Sequence, residues 1–232
     1  MILIWIRHII EYQCFTIKKI ISKERAKSLA KSINFQEATP PEALNPDSLF
    51  QEGENTTHYS IIDKHGNVVS NTYTLGYSFG SGVTIPGTGI LLDNQMNNFA
   101  YQYGNPEVID RSASIGNRFE PGKRPMSTMT PIIIFNEKNE LKLITGSPGG
   151  ALIPAAVLRV VTGIIDFDLN LGEATMLPRL HKDWPYKGLE HERAVSRDIV
   201  RRLKSMGHKT EYEMTIGSTQ SIHIVDLSLI HI

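Results

Sequence analysis

Thr56-Thr57-His58-Tyr59-Ser60-Ile61-Ile62-Asp63 (TTHYSIID) is the stretch on which the fold turns. It has the composition of a strand. Behind it, from Phe35 to Asn55, the chain is polar, carries Pro40, Pro41 and Pro46 and shows no apolar period, which marks a linker. A threonine hydroxyl is a weak nucleophile at neutral pH. At a chain N-terminus it gains a base, the α-amino group, whose reference pKa of about 7.7–8.0 suits proton transfer. Reading Thr56 as a nucleophile therefore requires cleavage of the Asn55–Thr56 bond, in a neighbourhood loose enough for the released end to move away. On these residues alone, Thr56-Thr57 equally reads as ordinary strand sequence, because threonine packs well on a pleated surface.

Working outward, 57–63 and 68–74 are β-branched or alternating, and Lys64-His65-Gly66-Asn67 between them has turn chemistry. A hairpin here brings Thr56 and Thr74 together at the end away from the turn. A second hairpin is expected from Pro131–Glu137 and Leu141–Thr145, with apolar runs that read as buried on both faces. Next come Ser147-Pro148-Gly149-Gly150 and an apolar helix over 151–165, with Pro154 in its first turn. Strand, glycine turn and helix start leave backbone N–H groups free to meet an anion, although a tight turn alone also calls for glycine. Helices are expected over 22–33, with Ala26, Leu29, Ala30 and Ile33 on one face, and over 196–206, with Ile199, Val200 and Leu203 inward. Thr219–Val225 reads as a last strand. Residues 80–89 are glycine-rich but lack a dinucleotide fingerprint or a phosphate-loop lysine, and 99–122 reads as a surface lid or binding loop. Antiparallel strands with packed helices predict an α+β fold.

Composition narrows the function. With 232 residues, the chain can bury a real core as one large domain or two small ones. Twenty-four Lys and Arg balance 24 Asp and Glu, so there is no charge footprint for nucleic acid or an anionic membrane. Cys14 is the sole cysteine, and the eight histidines show no metal-ligand spacing, so neither a metal nor another cofactor is expected. His58, His65 and His181 read as surface or satisfied polar groups. The apolar start MILIWIRHII is broken by Arg7 and His8 and lacks a preceding basic region, so it does not read as a signal peptide.

Six separated motifs occur in one order: TTHYS (56–60), TYTL (72–75), GILLDNQM (89–96), KRPMSTM (123–129), TGSPGG (145–150) and GSTQS (217–221). Together they resemble the small catalytic subunit of the γ-glutamyltransferases, members of the N-terminal nucleophile hydrolases. The resemblance implies a four-layer αββα sandwich built from two subunits of one precursor, of which this chain holds the small-subunit half and a short preceding segment. It divides the chain into an N-terminal helical segment (1–34), a linker (35–55) and the catalytic subunit (56–232). It implies that Thr56 attacks the carbonyl of Asn55 in self-cleavage, then the γ-glutamyl amide of a donor such as glutathione, giving an acyl-enzyme that water or an amine resolves. It assigns Thr74 to orienting Thr56, and Gly149 and Gly150 to an oxyanion hole, where one donor is worth about 2.7–4 kcal/mol. Ser127 and Thr128 fall where a hydroxyl pair holds the substrate α-carboxylate, and Gln95 where the α-amino group is bound. The family also implies a periplasmic or extracellular location and a large subunit that supplies a carboxylate-binding arginine.

Two departures bear on substrate. Asn98 stands where the family usually has an aspartate that pairs with the substrate ammonium, and Gly76 where it usually has asparagine. A hydrogen bond to a charged group is worth about 1.5–3 kcal/mol, so both losses weaken selection for an α-ammonium and favour a glutaryl-type acyl group. Ile109 falls where lidded relatives carry an aromatic gate, with Tyr101 and Tyr103 nearby. The end of the chain, Leu227–Ile232, departs from the family pattern and reads as foreign to it. Two other readings are an inert domain that never cleaves and a fragment without stability of its own.

Overall fold

The computed structural model describes residue 18 and residues 21–39, 55–99, 117–182, 188–213, 215–225 and 228–231. Its elements run α1 (Lys23–Ser32), β1 (Asn55–Ile62), β2 (Val68–Gly76), β3 (Ile132–Phe135), β4 (Leu141–Thr145), α2 (Ile153–Ile165), α3 (Leu171–Met176), β5 (Leu180–Lys182), β6 (Leu189–His191), α4 (Arg197–Ser205), β7 (Thr210–Tyr212), β8 (Ile222–Val225) and β9 (Ser228–His231). The strands form a β1–β2 hairpin, a four-stranded antiparallel sheet ordered β3-β4-β8-β9, and a three-stranded sheet ordered β5-β6-β7. The architecture is α+β, as the patterning predicts.

The core forms where α2 and α3 cover β4. Buried Ile153, Ala156, Val157, Val160 and Ile164 recur at helical spacing along α2. Val160 and Ile164 pack with Leu143, Leu171 and Ala174, with Ile134, Val161 and Leu169 around them. Full burial of such a side chain contributes about 1.5–3 kcal/mol. Gly163 lets the helices approach closely, since a Cβ there would lie 2.9 Å from that of Ala174. A capping box starts α3: Asn170 accepts the Glu173 N–H, and Glu173 reaches back to the Asn170 N–H.

The hairpin is seated where β4 ends and β8 begins. Its inward side chains are polar: Ser70 Oγ donates to the Thr145 carbonyl (3.0 Å) and Ser60 Oγ to the Gln220 carbonyl (2.9 Å). Between them lies His58, only 5% exposed, with Nδ1 2.7 Å from Thr72 Oγ1 and Nε2 3.1 Å from Ser60 Oγ. The Ser60 proton is committed to Gln220, so the network assigns the proton to Nε2, with Nδ1 accepting from Thr72. The ring lies flat against Gly146, where a Cβ would overlap it. Burial holds the His58 pKa down at about 4.

Several expectations change. Ser22 caps α1 as expected, but Leu29 and Ile33 stay 55% exposed, so no described residue covers that helix's apolar face. In α4 Ile199 is half exposed rather than inward, and Phe135 on β3 is exposed, so that strand is not buried on both faces. β9 occupies 228–231, within the stretch that departs from the family pattern, and pairs antiparallel with β8. The short helix α3 and the β5-β6-β7 sheet had no sequence expectation. Most of the linker (40–54), the lid segment 100–116 with Tyr101, Tyr103 and Ile109, and Leu227 and Ile232 lie outside the described residues.

Two measurements check this account. Leu171→Ala, which empties a fully buried site, is expected to cost about 2–5 kcal/mol in chemical denaturation, whereas Met176→Ala at an exposed site stays within about 0.5 kcal/mol. Because the folded state keeps His58 neutral, its contribution is complete above the ordinary histidine value of 6.5 and is lost as pH falls toward about 4. Between those values stability should fall with a slope approaching about 1.4 kcal/mol per pH unit. A His58→Gln variant should lose that part of the slope; an identical slope in the variant would assign the acid sensitivity to other groups.

Candidate active site

β1 and β2 pair with Thr56 opposite Thr74, as the hairpin expectation requires. The register slips between Asn55 and Thr56: Asn55 pairs with Gly76, leaving Leu75 as an extra residue. The candidate scissile peptide thus sits at a β-bulge, a device that bends a strand and re-aims the residues beyond it. Gly76 carries it with φ +87°, a conformation costly for residues with a Cβ. Thr74 Oγ1 accepts the Gly76 N–H at 2.9 Å, closing the bulge. Thr56 Oγ1 is buried and meets no hydrogen-bond partner, so the implied bond between the two threonine hydroxyls is not made. A buried hydroxyl without a partner costs about 1–3 kcal/mol, and Thr130, Thr175 and Thr219 share that condition.

Next to this end lies a wall of carboxamides. Gln95 Nε2 donates to the Thr74 carbonyl at 3.0 Å, so Gln95 adjoins the candidate nucleophile's partner strand. The Asn94 N–H donates to the Leu75 carbonyl (3.0 Å), and Asn94 Oδ1 accepts the Tyr77 N–H (3.1 Å). Asn98 is buried; its carbonyl accepts from Asn117 Nδ2 (2.6 Å), while Asn117 Oδ1 accepts the Met126 N–H (3.1 Å). Asn117 therefore couples Asn98 to the extended segment leading into Ser127 and Thr128. Phe99 and Phe119 close the same junction edge to face, with ring centres 5.3 Å apart.

The glycine turn is held from several sides. Thr128 Oγ1 donates to the Gly150 carbonyl at 2.8 Å, which brings one member of the hydroxyl pair to the oxyanion candidate. Ser127 is exposed, and its Oγ accepts the Met129 N–H. Gly149 (φ +130°) and Gly150 (φ +55°) both adopt backbone conformations that favour glycine. A Cβ on Gly149 would lie 3.3 Å from the Gly217 Cα, and one on Gly217 would meet Ala156 at 2.6 Å and Ser147 Oγ at 2.7 Å. Ser147 Oγ accepts the Ser218 N–H (2.9 Å) and donates to the Pro148 carbonyl (2.6 Å).

Behind this packing lies a buried ion pair. Arg179 Nη1 is 3.7 Å from Glu192 Oε1 and donates to the Ile216 and Gly217 carbonyls at 3.2 Å, while Nη2 donates to the Thr175 carbonyl at 3.0 Å. Glu192 accepts the N–H groups of Arg179 (2.9 Å) and Ile216 (2.8 Å). Burial draws the Arg179 pKa down and the Glu192 charge opposes that. The pair fixes the 216–218 loop that backs Gly149.

Sequence reasoning named Thr56, Thr74, Gln95, Asn98, Thr128, Gly149 and Gly150, and the structure ties these to two adjoining ends of the fold. It missed His58, Asn94, Asn117, Ser147 and the Arg179–Glu192 pair. Three of them lie inside the quoted motifs, His58 in TTHYS, Asn94 in GILLDNQM and Ser147 in TGSPGG, but nothing local sets them apart from their neighbours. Among the described residues no three His, Cys, Asp or Glu side chains gather as a metal site.

A family model for gamma-glutamyltranspeptidase matches residues 10–230. The glutathione hydrolase proenzyme of Escherichia coli (strain K12) is 40% identical over 206 residues, spanning 88% of this chain and 35% of that protein. This chain thus covers about a third of the length of the curated relatives it matches first. Among solved structures, the Helicobacter pylori γ-glutamyltranspeptidase T380A mutant superposes with a TM-score of 0.68 at 35% identity, over 76% of this chain and 96% of that one. The cephalosporin acylase of Bacillus halodurans gives 0.71 at 28% identity, over 89% of this chain and 35% of that one. Motif order, fold and these likenesses agree: the chain belongs to the γ-glutamyltranspeptidase family and has the α+β fold of its N-terminal nucleophile hydrolase structures.

Proposed function

We propose that the chain is the catalytic part of an amidohydrolase or acyltransferase in which Thr56, freed by cleavage after Asn55, is the nucleophile. The observation that carries this reading is the buried, unpartnered Thr56 Oγ1 opposite Thr74, directly after a bulge at the candidate scissile peptide. In self-cleavage Oγ1 adds to the Asn55 carbonyl, the Asn55–Thr56 C–N bond breaks to give an ester and a free α-amine, and water hydrolyses the ester. In turnover the α-amine takes the Oγ1 proton as the hydroxyl adds to the substrate amide carbonyl. It passes that proton to the departing amine, leaving an acyl-Thr56 ester for water or an acceptor amine. Gly149 and Gly150 stabilise the oxyanion through backbone N–H groups, and Ser127 and Thr128 bind the acyl carboxylate.

The donor class is a γ-glutamyl amide of the glutathione type, after the relatives' activity. A glutaryl-type donor is the second reading, favoured by the neutral, buried Asn98 and by the likeness to a cephalosporin acylase. The partner is the large subunit of the same precursor. Its support is the outward face of the hairpin, where Tyr59, Ile61, Val69 and Tyr73 are all more than 40% exposed and the two tyrosines meet edge to face. No cofactor or metal takes part in this scheme.

Intact mass after expression tests the first step. Cleavage between Asn55 and Thr56 is expected, and Thr56→Ala should abolish both cleavage and amide turnover; an uncut folded wild-type chain would make it an inert domain instead. For the donor, kcat/KM on γ-glutamyl and glutaryl anilides is the comparison. A glutaryl preference selects the second reading, and a strong γ-glutamyl preference removes it.

A further inference from the structure

Gly76 and Asn94 exclude one another's side chains. A Cβ built on Gly76 would overlap the Asn94 carboxamide, with Oδ1 in the space the Cβ needs and Cγ 3.0 Å away. Asn94 is held there at both ends: its N–H bonds the Leu75 carbonyl, and its Oδ1 receives the Tyr77 N–H. These bonds bracket the bulge that faces Asn55 and Thr56, and Gln95, the next residue, bonds the Thr74 carbonyl. The absence of a side chain at position 76 therefore does not leave a hole. An amide from a neighbouring segment fills it.

We propose that Asn94 is a specificity-determining residue, whose carboxamide stands beside the substituent on the acyl chain that Thr56 accepts. This rests on the reading of Thr56 as the nucleophile for γ-glutamyl or glutaryl amides and deepens it. Asn94 and Gln95 form this wall with two neutral carboxamides, the first accepting the Tyr77 N–H and the second donating to the Thr74 carbonyl. Asp93, the nearby carboxylate, is exposed and already accepts the Gln95 N–H at 2.9 Å. Such a wall offers no fixed negative charge to an ammonium, yet it donates and accepts hydrogen bonds. It suits a glutaryl-type acyl group, or one whose α-substituent is an uncharged hydrogen-bonding group, over a γ-glutamyl group bearing an ammonium.

Asn94→Asp is the discriminating variant because it is nearly isosteric. A carboxylate oxygen still accepts the Tyr77 N–H and still lies over Gly76, while the neutral donor becomes an anion. In the full-length gene product, the ratio of kcat/KM for γ-glutamyl over glutaryl p-nitroanilide is expected to rise at least about tenfold, the equivalent of about 1.4 kcal/mol. Asn94→Ala should reduce selectivity between the two anilides. Intact mass runs alongside, so that self-cleavage is read independently of turnover. A self-cleaved Asn94→Asp enzyme with an unchanged ratio overturns the assignment of Asn94 while leaving Thr56 as the nucleophile. If Asn94→Asp does not accumulate as folded protein, an unchanged ratio in Asn94→Ala overturns it equally. A wild type that neither cleaves itself nor turns over either anilide overturns the nucleophile reading, and this proposal with it.

Discussion

Everything at this site depends on how the β1–β2 hairpin is seated on the end of β4. The contact is a buried imidazole lying against a glycine. His58 comes two residues after Thr56 on the same face of β1, and Gly146 opens the segment that runs through Ser147 and Pro148 to Gly149. The strand bearing the candidate nucleophile and the loop bearing the candidate oxyanion donors are thus registered through one ring. Ser60, Ser70 and Thr72 complete the seat, each bonded to a carbonyl or to another side chain. In a low-dielectric junction a hydrogen bond left unmade costs more than one made contributes, so such a lattice enforces a single register. That matters for a nucleophile, because a displacement of about 1 Å can cost roughly a hundredfold in rate.

The loop on the other side of the site is fixed by different physics. Gly149 and Gly217 approach closely, since a Cβ on Gly149 would make a tight 3.3 Å contact with the Gly217 Cα, and φ +130° there already favours glycine. Arg179 and Glu192 then tie the 216–218 segment down by direct bonds to its carbonyls and N–H. A buried ion pair is weak evidence for net stability, since desolvation offsets most of the attraction. What this pair supplies is position: five backbone groups converge on the two side chains, among them the carbonyl of Gly217, the residue against which Gly149 rests. Preorganised oxyanion donors act only if they need not reorganise during the reaction, and a rigid backing supplies that condition.

Legibility in the sequence tracks the range of the forces involved. The hairpin, α2 with its Pro154 and the cap of α4 are local patterns of period, turn and cap, and all are present. The facing of Thr56 and Thr74 came from hairpin geometry, because pairing register is fixed once the turn is known. The bulge was not legible, since nothing in Leu75-Gly76 distinguishes a strand end from an extra residue. The contacts His58 to Gly146, Asn94 to Gly76 and Arg179 to Gly217 join residues far apart in the chain. A glycine's reason for being there is the neighbour that needs its space, and a single sequence does not show that neighbour. The reading of Gly76 as an amide missing from the site did not include its neighbour: the Asn94 carboxamide lies in the space that a side chain at 76 would need.

The hairpin also inverts the usual amphipathic rule. Its covered face carries Thr56, His58, Ser60, Ser70, Thr72 and Thr74, and its open face carries Tyr59, Ile61, Val69 and Tyr73. A strand pair evolved to border water would place these the other way round, with apolar residues inward at about 25 cal/mol per Å² of buried surface. The polar residues that face the sheet here are held by hydrogen bonds: His58 meets Thr72 and Ser60, and Ser60 and Ser70 donate to carbonyls of the segment beneath. The apolar residues are then left for a second layer on the far side of the hairpin. A two-sided sheet of this kind is what a sandwich requires of its inner strands. The same alternation that points Thr56 inward points Tyr59 and Ile61 outward, so any change of register that spoiled one face would spoil the other.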